Sequence, residues 1–216
     1  MSPVDTSTTG LSGRRRQAAD NDAAILDAAR EVFLDDATAP IAAVAHRAGV
    51  GISALYRRYP SKEHLLGVLC ADGQQIYLRE VRAALADDGE PWAVFAAFLG
   101  RIVEADTHAL TTRLAGSFTP TEQHFADASE MRDLAEALFA RTERAGAFRA
   151  GLTFMDVAFL LEGVSGVRLR DPKRTAQQRR RVLAVLVEGL RAGGPPLPER
   201  PPTWEEQEER WKPKGT

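Results

Sequence analysis

The chain has 216 residues, enough to bury a core in one or two domains, and its 44% apolar and 27% charged residues are the balance of an ordinary globular protein. The single cysteine, Cys70, excludes an internal disulfide framework and a cysteine-based metal site. Net charge is −2, so overall charge does not mark a nucleic-acid binder. No run approaches the roughly 18–20 continuous apolar residues of a membrane span, and the polar opening SPVDTSTTGLSG carries no signal core, so the expected location is cytoplasmic.

Residues 1–19, rich in Ser, Thr and Gly and closing on Arg14-Arg15-Arg16, read as a disordered arm. Asp20 can cap a helix start, and Ile25, Ala28, Ala29, Val32 and Phe33 then repeat along one apolar face. Pro40 suits the first turn of a second helix, with Ile41, Val44, Ala45 and Ala48 inward and Gly49 as its stop. Ile52 to Tyr59 is long enough for only about two helical turns. Pro60 breaks the chain again, Ser61 is a good N-cap, and Leu65, Leu66, Leu69, Gly73, Ile76 and Tyr77 mark a longer helix reaching about Ala86.

Pro91 opens a helix carrying Trp92, Phe95, Ala96, Leu99 and Val103, and a short segment over His108 to Ala115 follows. Thr119-Pro120-Thr121-Glu122 combines a capping box with a first-turn proline, ahead of Met131, Leu134, Ala135, Leu138 and Phe139. Thr153 with Asp156 starts another helix, and Thr175 with Gln178 the last, which stops at Gly193-Gly194-Pro195-Pro196. No segment alternates with period two between hairpin turns, so the fold is expected to be all-α. Residues 193–216 read as a proline-rich linker and an acidic tail in which Trp204 and Trp211 sit seven apart.

Residues 40–62, PIAAVAHRAGVGISALYRRYPSK, are the informative stretch. Two short helices joined by Ala48-Gly49-Val50-Gly51 form a helix-turn-helix, whose second member can lie in a DNA major groove. Between Ala37 and Lys62 there is no Asp or Glu, yet Arg47, Arg57, Arg58 and Lys62 fall there, a basic island suited to local phosphate contact. Ile52, Ser53, Ala54 and Arg57 are candidates for base edges: Arg reads guanine with two bonds, Ser bonds either way, and Ile or Ala meets a thymine methyl. Tyr56 can donate to a phosphate. Lys62 stands in the first turn of a helix, where the macrodipole disfavours a cation, and a phosphate bound at that N-terminus resolves the conflict. The plainer reading stays open beside this one. Two helices joined by a glycine turn occur in many proteins that never meet DNA, and Arg57-Arg58 also suits a solvated face. Leu55 and one of Tyr56 or Tyr59 belong to the core on either reading, because a short helix must bury something.

The stretch AVAHRAGVGISALYRRYPSKEHLL resembles the DNA-binding segment of the TetR family of repressors, whose usual pattern is IA-x-x-AGVS-x-GTLY-x-(Y/H)F-x-(S/T)KE-x-LL. Val44-Ala45, Ala48-Gly49-Val50, Leu55-Tyr56, Tyr59, Ser61-Lys62-Glu63 and Leu65-Leu66 match in register, and the preceding helix, with Ala28-Ala29 and Phe33, is similar to the family's first. Gly51 stands where the family's serine usually follows AGV, and Ser53-Ala54 replaces its Gly-Thr pair. The threonine pair that opens the family's second helix falls at Ala39-Pro40, with Thr38 one residue away as a substitute. The resemblance implies a homodimeric regulator of transcription, a repressor released from a palindromic operator by a small-molecule effector, with no cofactor, metal or catalytic residue. It places Tyr56 and Lys62 on the phosphate backbone, within a contact set of Thr38, Arg47, Gly51, Ile52, Ser53, Ala54, Tyr56, Arg57 and Lys62. The expected architecture is a three-helix helix-turn-helix domain over residues 20–66, then a larger helical domain for effector binding and dimerisation over 67–192.

The same resemblance sets the effector pocket among residues 90–170. Trp92, Phe95, Phe98, Phe118, Phe125, Met131, Phe139, Phe159 and Leu160 are candidate walls, each equally at home in a plain core. Asp106, His108, Asp156 and Glu162 are polar groups able to orient a ligand, or else caps and solvated faces. For the dimer the residues speak themselves: Phe154 to Leu161 is apolar nearly all round, and Gly163 and Gly166 permit close helix approach. Phe154, Val157, Leu161, Val182, Val185, Leu186 and Leu190 then suit a four-helix bundle across a two-fold axis, or an intramolecular core. Two other function classes compete with this reading. An enzyme finds little support: His46, His64, His108 and His124 show no close metal-ligand pairing, and Gly163-Val164-Ser165-Gly166 lacks the nucleophile-elbow spacing. A helical adaptor would bind its partner through the Trp204–Trp211 tail, unless those tryptophans pack back on the body.

Overall fold

The computed structural model describes residues 7–106, 114, 116–195 and 197–209, with side chains described between 21 and 206. Every regular element among them is a helix, and the β-type contact is an isolated bridge between Phe148 and Arg191. The all-α expectation holds. The chain divides into two compact units between Leu69 and Cys70. None of the described helices is long and apolar enough to cross a membrane.

The first unit comprises α1 (Ser7–Asp35), α2 (Ile41–Ala48), α3 (Ile52–Arg58) and the opening turns of α4 (Lys62–Ala86). Ile25, Ala28, Ala29 and Phe33 of α1 are buried along with Val44 and Ala45 of α2, Leu55 of α3, and Leu65, Leu66 and Leu69 of α4. This is the periodic apolar stripe at work: each helix supplies one inward face. Gly49 ends α2 in the left-handed region, at φ 68°, and donates its N–H to the Ala45 and His46 carbonyls. Pro40 stands just ahead of α2 as its N-cap rather than inside the first turn. Ser61 caps α4 by accepting the His64 N–H at 3.0 Å. One correction concerns α1, which starts at Ser7 and not at Asp20, so residues 7–19 are helical where a disordered arm was expected. The run Arg14 to Ala19 consists of good helix formers, and nothing in it halts a helix that continues into Asp20.

The second unit contains the rest of α4, α5 (Pro91–Ala105), α6 (Glu122–Arg144), α7 (Phe154–Ser165), α8 (Pro172–Leu190) and the short α9 (Trp204–Glu209). Its core gathers Val81 of α4, Phe95, Phe98, Leu99 and Ile102 of α5, Leu138 and Phe139 of α6, Val157, Leu161 and Val164 of α7, and Leu183, Val187 and Leu190 of α8. Thr153 and Asp156 form the expected capping box on α7. Two other helix starts differ from expectation. On α6 the box is Thr121 with His124, because the imidazole Nδ1 accepts the Thr121 N–H at 3.1 Å, the role expected of a glutamate. On α8 the Asp171 carboxylate accepts the Lys173 N–H with Pro172 at the first position, which places Thr175 one turn inside the helix. The segment expected over His108 to Ala115 lies outside the described residues, except for Leu114, which is buried.

Candidate nucleic-acid interface

Seven residues are too few for α3 to be stable alone, so its docking decides what it displays. Leu55 is its one buried side chain, with Tyr59 buried just past its end. That anchoring turns Ile52, Ser53, Ala54, Tyr56 and Arg57 outward, with Ile52 40% and Tyr56 48% exposed. Ser53, Tyr56 and Arg57 are spaced i, i+3, i+4 and share one side of the helix.

The basic island separates into two kinds of cation. Arg58 donates Nε and a terminal nitrogen to the two oxygens of Asp22, at 2.9 and 2.5 Å, which pins α3 to α1. Asp22 also pushes the Arg58 guanidinium pKa above its usual value. Arg47 is bound to Glu31 of α1. Lys62 donates to the Ala37 carbonyl at 3.0 Å and sits 5.2 Å from the centre of the Phe33 ring. Arg57 is the one cation of the four with no hydrogen bond or ion pair to any described residue, and the Ser53 and Tyr56 hydroxyls are equally unengaged.

Two members of the expected contact set are engaged by carboxylates within the chain. The Arg47 guanidinium is held by a carboxylate. The Thr38 hydroxyl donates to Asp36 Oδ1 at 2.7 Å, alongside its own N–H at 2.8 Å, which leaves an acidic group where a phosphate donor was expected. Gly51 immediately precedes α3, and a Cβ there would meet nothing within 4 Å. Lys62 acquires a structural duty that the sequence did not announce, latching the start of α4 to the connection between α1 and α2. Lys62→Ala is expected to lower the stability of the first unit by about 1–2 kcal/mol, since a charge-assisted bond and a ring contact are lost. Urea denaturation checks this, and an unchanged midpoint would reduce Lys62 to a surface cation.

Residues 25–69 match the family model for bacterial regulatory proteins of the tetR family, and residues 90–192 match that for the C-terminal domain of SbtR-like transcriptional regulators. The chain belongs to the TetR family. Members are DNA-binding regulators, not enzymes, and both units carry the family's signature. Among solved structures, a TetR transcriptional regulator from Streptomyces coelicolor is 25% identical with a TM-score of 0.55, over 79% of this chain and 98% of that one. A TetR regulatory protein from Mycobacterium vanbaalenii is 26% identical with a TM-score of 0.55, over 82% and 98%. LfrR from Mycobacterium smegmatis, solved in complex with proflavine, shares the fold at 20% identity and a TM-score of 0.54, over 76% and 95%. No curated protein matches the sequence.

In this TetR-family chain the second unit redistributes the residues expected for pocket and interface. Trp92, Phe95, Phe98 and Phe139 are buried in the core. Three of them meet a residue the sequence reading missed, Phe148, which stacks on Phe139 at 4.5 Å and meets Phe95 at 4.9 Å and Trp92 at 6.1 Å, edge to face, while Phe98 meets Tyr77. Those four are core rings that pack on other rings, the plainer of the two readings that the sequence left open for them. Met131 is partly buried against the same core. Phe118 is half-buried beside the His124 ring, and Phe125 is 64% exposed. Phe159 and Leu160 line an open groove of about 450 Å³ with Val185, Leu186 and Gly189, on the outer side of α7 and α8. Phe159 therefore stands on the wall of a surface groove.

Of the interface candidates, Val157, Leu161 and Leu190 are buried in the chain's own core, the intramolecular alternative that the sequence left open. Phe154, Val182 and Leu186 are half-buried, and Val185 is 70% exposed. Asp156 is engaged in its capping box, and Asp106 pairs with the buried Arg179 at 2.6 Å. His108 and Trp211 lie outside the described residues. Trp204 lies under the Arg132 guanidinium of α6, 5.0 Å from its ring centre, so this part of the tail packs back on the body.

Proposed function

We propose that this regulator is a homodimeric repressor, acting in the cytoplasm, that leaves a palindromic operator when a small-molecule effector binds its second unit. The observation that carries the reading is the outer side of α3, where Ser53, Tyr56 and Arg57 present unengaged polar groups beside Ile52 and Ala54. Such a surface has what base edges and phosphates require: a fork for guanine, hydroxyls for bases or phosphate, and small apolar groups for thymine methyls. Tyr56 and Lys62 take phosphates, and Gly51 lets the backbone approach. Thr38 and Arg47 drop out, being held by Asp36 and Glu31.

The dimer face is the outer side of α7 and α8, with Phe159, Leu160 and Gly163 on one helix and Val182, Val185 and Gly189 on the other. Two such faces pair across a two-fold axis into a four-helix bundle, and the two recognition helices then meet half-sites about one DNA turn apart. A small-molecule effector is supported by the fold relative solved with proflavine. The switch needs a coupling energy of only about 1–3 kcal/mol, carried by α4, which is one continuous helix from Lys62 to Ala86.

Selection of bound duplexes from a random DNA pool tests the whole reading. Enrichment of a palindrome is expected, and no enrichment at either low or moderate salt overturns it. On the selected operator, Arg57→Ala is expected to relax preference at one position per half-site, by about 1–3 kcal/mol. Uniform weakening across all sequences would instead put Arg57 on phosphate.

A further inference from the structure

The second unit contains a polar cluster that its packing does not require. On α4, Gln74 and Tyr77 stand one turn apart on one side of the helix, 6% and 8% exposed. Gln74 donates Nε2 to the His124 carbonyl at 2.9 Å, and this fixes the amide, because turning it would set two oxygens together. Its Oε1 is then buried with no hydrogen bond. The Tyr77 hydroxyl has no bond to any described residue, and burial pushes the phenol pKa far above its usual value, so it remains a neutral donor. Asp127 lies in the same opening stretch of α6 as His124 and is 6% exposed. It accepts Gln75 Nε2 at 2.9 Å on one oxygen and Gln123 Nε2 at 2.7 Å on the other. No Lys or Arg among the described residues is bonded to it. Buried acceptors without donors, and a buried carboxylate without a cation, are both unfavourable, so the arrangement is incomplete as it stands.

We propose that this cluster is the effector site, and that its ligand carries a protonated amine or amidine on an apolar body. The ligand's N–H donors meet Gln74 Oε1, and its charge offsets Asp127. The Tyr77 ring, edge-on to Phe98 at 5.6 Å, offers the apolar body a wall. A carboxylate or phosphate ligand is disfavoured, because the unengaged Gln74 Oε1 is an acceptor and Asp127 beside it is a buried carboxylate. The inference deepens the repressor reading and rests on it: a ligand here ties α4 to α6, and α4 runs back from Gln74 to Lys62, about 18 Å along the helix.

The test is thermal melting of the purified full chain, without DNA, in benzylamine, tyramine or benzamidine, with benzoate and benzyl alcohol as matched controls. At least one of the three cations at millimolar concentration is expected to raise Tm by about 2 °C or more, and neither control to do so. In Asp127→Asn the half-maximal shift should need about tenfold more ligand or vanish. Gln74→Leu, which replaces the orphaned amide with an apolar group of similar size, should also lose the shift. Glu130→Gln, on the surface of the same helix, should keep it. The unliganded Asp127→Asn chain should melt close to wild type, since removal of a buried charge with no cation beside it offsets the one accepted bond that asparagine cannot keep. Silence from all three cations, an equal shift from benzoate, or an undiminished shift in Asp127→Asn each overturns the proposal. The assay contains no DNA, so its failure leaves the operator selection untouched, and failure of that selection leaves this result standing.

Discussion

Replacing Leu55 with alanine is expected to destabilise the first unit by about 2–5 kcal/mol and to abolish operator binding. Leu55 is fully buried and is the only side chain by which α3 enters the core, so its truncation leaves a cavity under a helix too short to hold itself. The unit is small, and a single domain has only about 5–15 kcal/mol of stability in all. Far-ultraviolet circular dichroism with urea should show an early transition for the first unit and a later one for the second. Ile52→Ala, three residues earlier on the same helix but 40% exposed, supplies the contrast. Its cost in stability should stay within about 0.5 kcal/mol, while its effect falls on DNA recognition. Equal denaturation midpoints for the two variants would mean that α3 is not docked through Leu55.

Much of this arrangement was legible in the residues, for definite reasons. Apolar spacing located the inward faces, Gly49 the stop of α2, Ser61 the start of α4, and the need of a short helix for an anchor picked out Leu55 and Tyr59. The pairing of surface charges was not legible. Asp22 and Glu31 are polar positions on α1 like any others until folding brings Arg58 and Arg47 to them, because ion pairs across elements follow no sequence period. Phe148 was missed for a related reason: it lies alone in the connection between α6 and α7, outside any helical repeat, yet it is the ring on which three others converge. The sequence therefore counts the cations of the basic island without showing which of them are engaged within the chain. Asp22 and Glu31 offset two of its four cations, and Lys62 is latched to Ala37. What remains is narrower: a guanidinium and two hydroxyls on one side of α3, and at the start of α4 the donors of Lys62 that Ala37 does not take. That favours local base and phosphate contacts over general polyanion binding, in keeping with the net charge of −2.

Val185→Asp is expected to leave the fold intact, to convert the dimer proposed above to monomers, and to weaken operator binding by about a hundredfold or more. Val185 is 70% exposed in the single chain, so a carboxylate there remains solvated in the monomer, and the cost in folding should stay within about 0.5 kcal/mol. In a two-fold bundle built from α7 and α8 the same substitution acts twice, because each protomer presents the new charge to the symmetric face of the other. Burying unpaired like charges costs about 3 kcal/mol or more, which is roughly a hundredfold in the dimer dissociation constant. A monomer carries one recognition helix, so it loses the second half-site of a palindrome along with its phosphate contacts. Sedimentation velocity reads the assembly state, and titration of the selected operator reads the affinity. Val187→Asp, two residues further on but 9% exposed and part of the core, separates the interface from the fold, since that variant should fail to fold at all. If Val185→Asp stayed dimeric and bound the operator as wild type does, the outer side of α7 and α8 would not be the interface. The groove of about 450 Å³ along it would then have to serve another occupant.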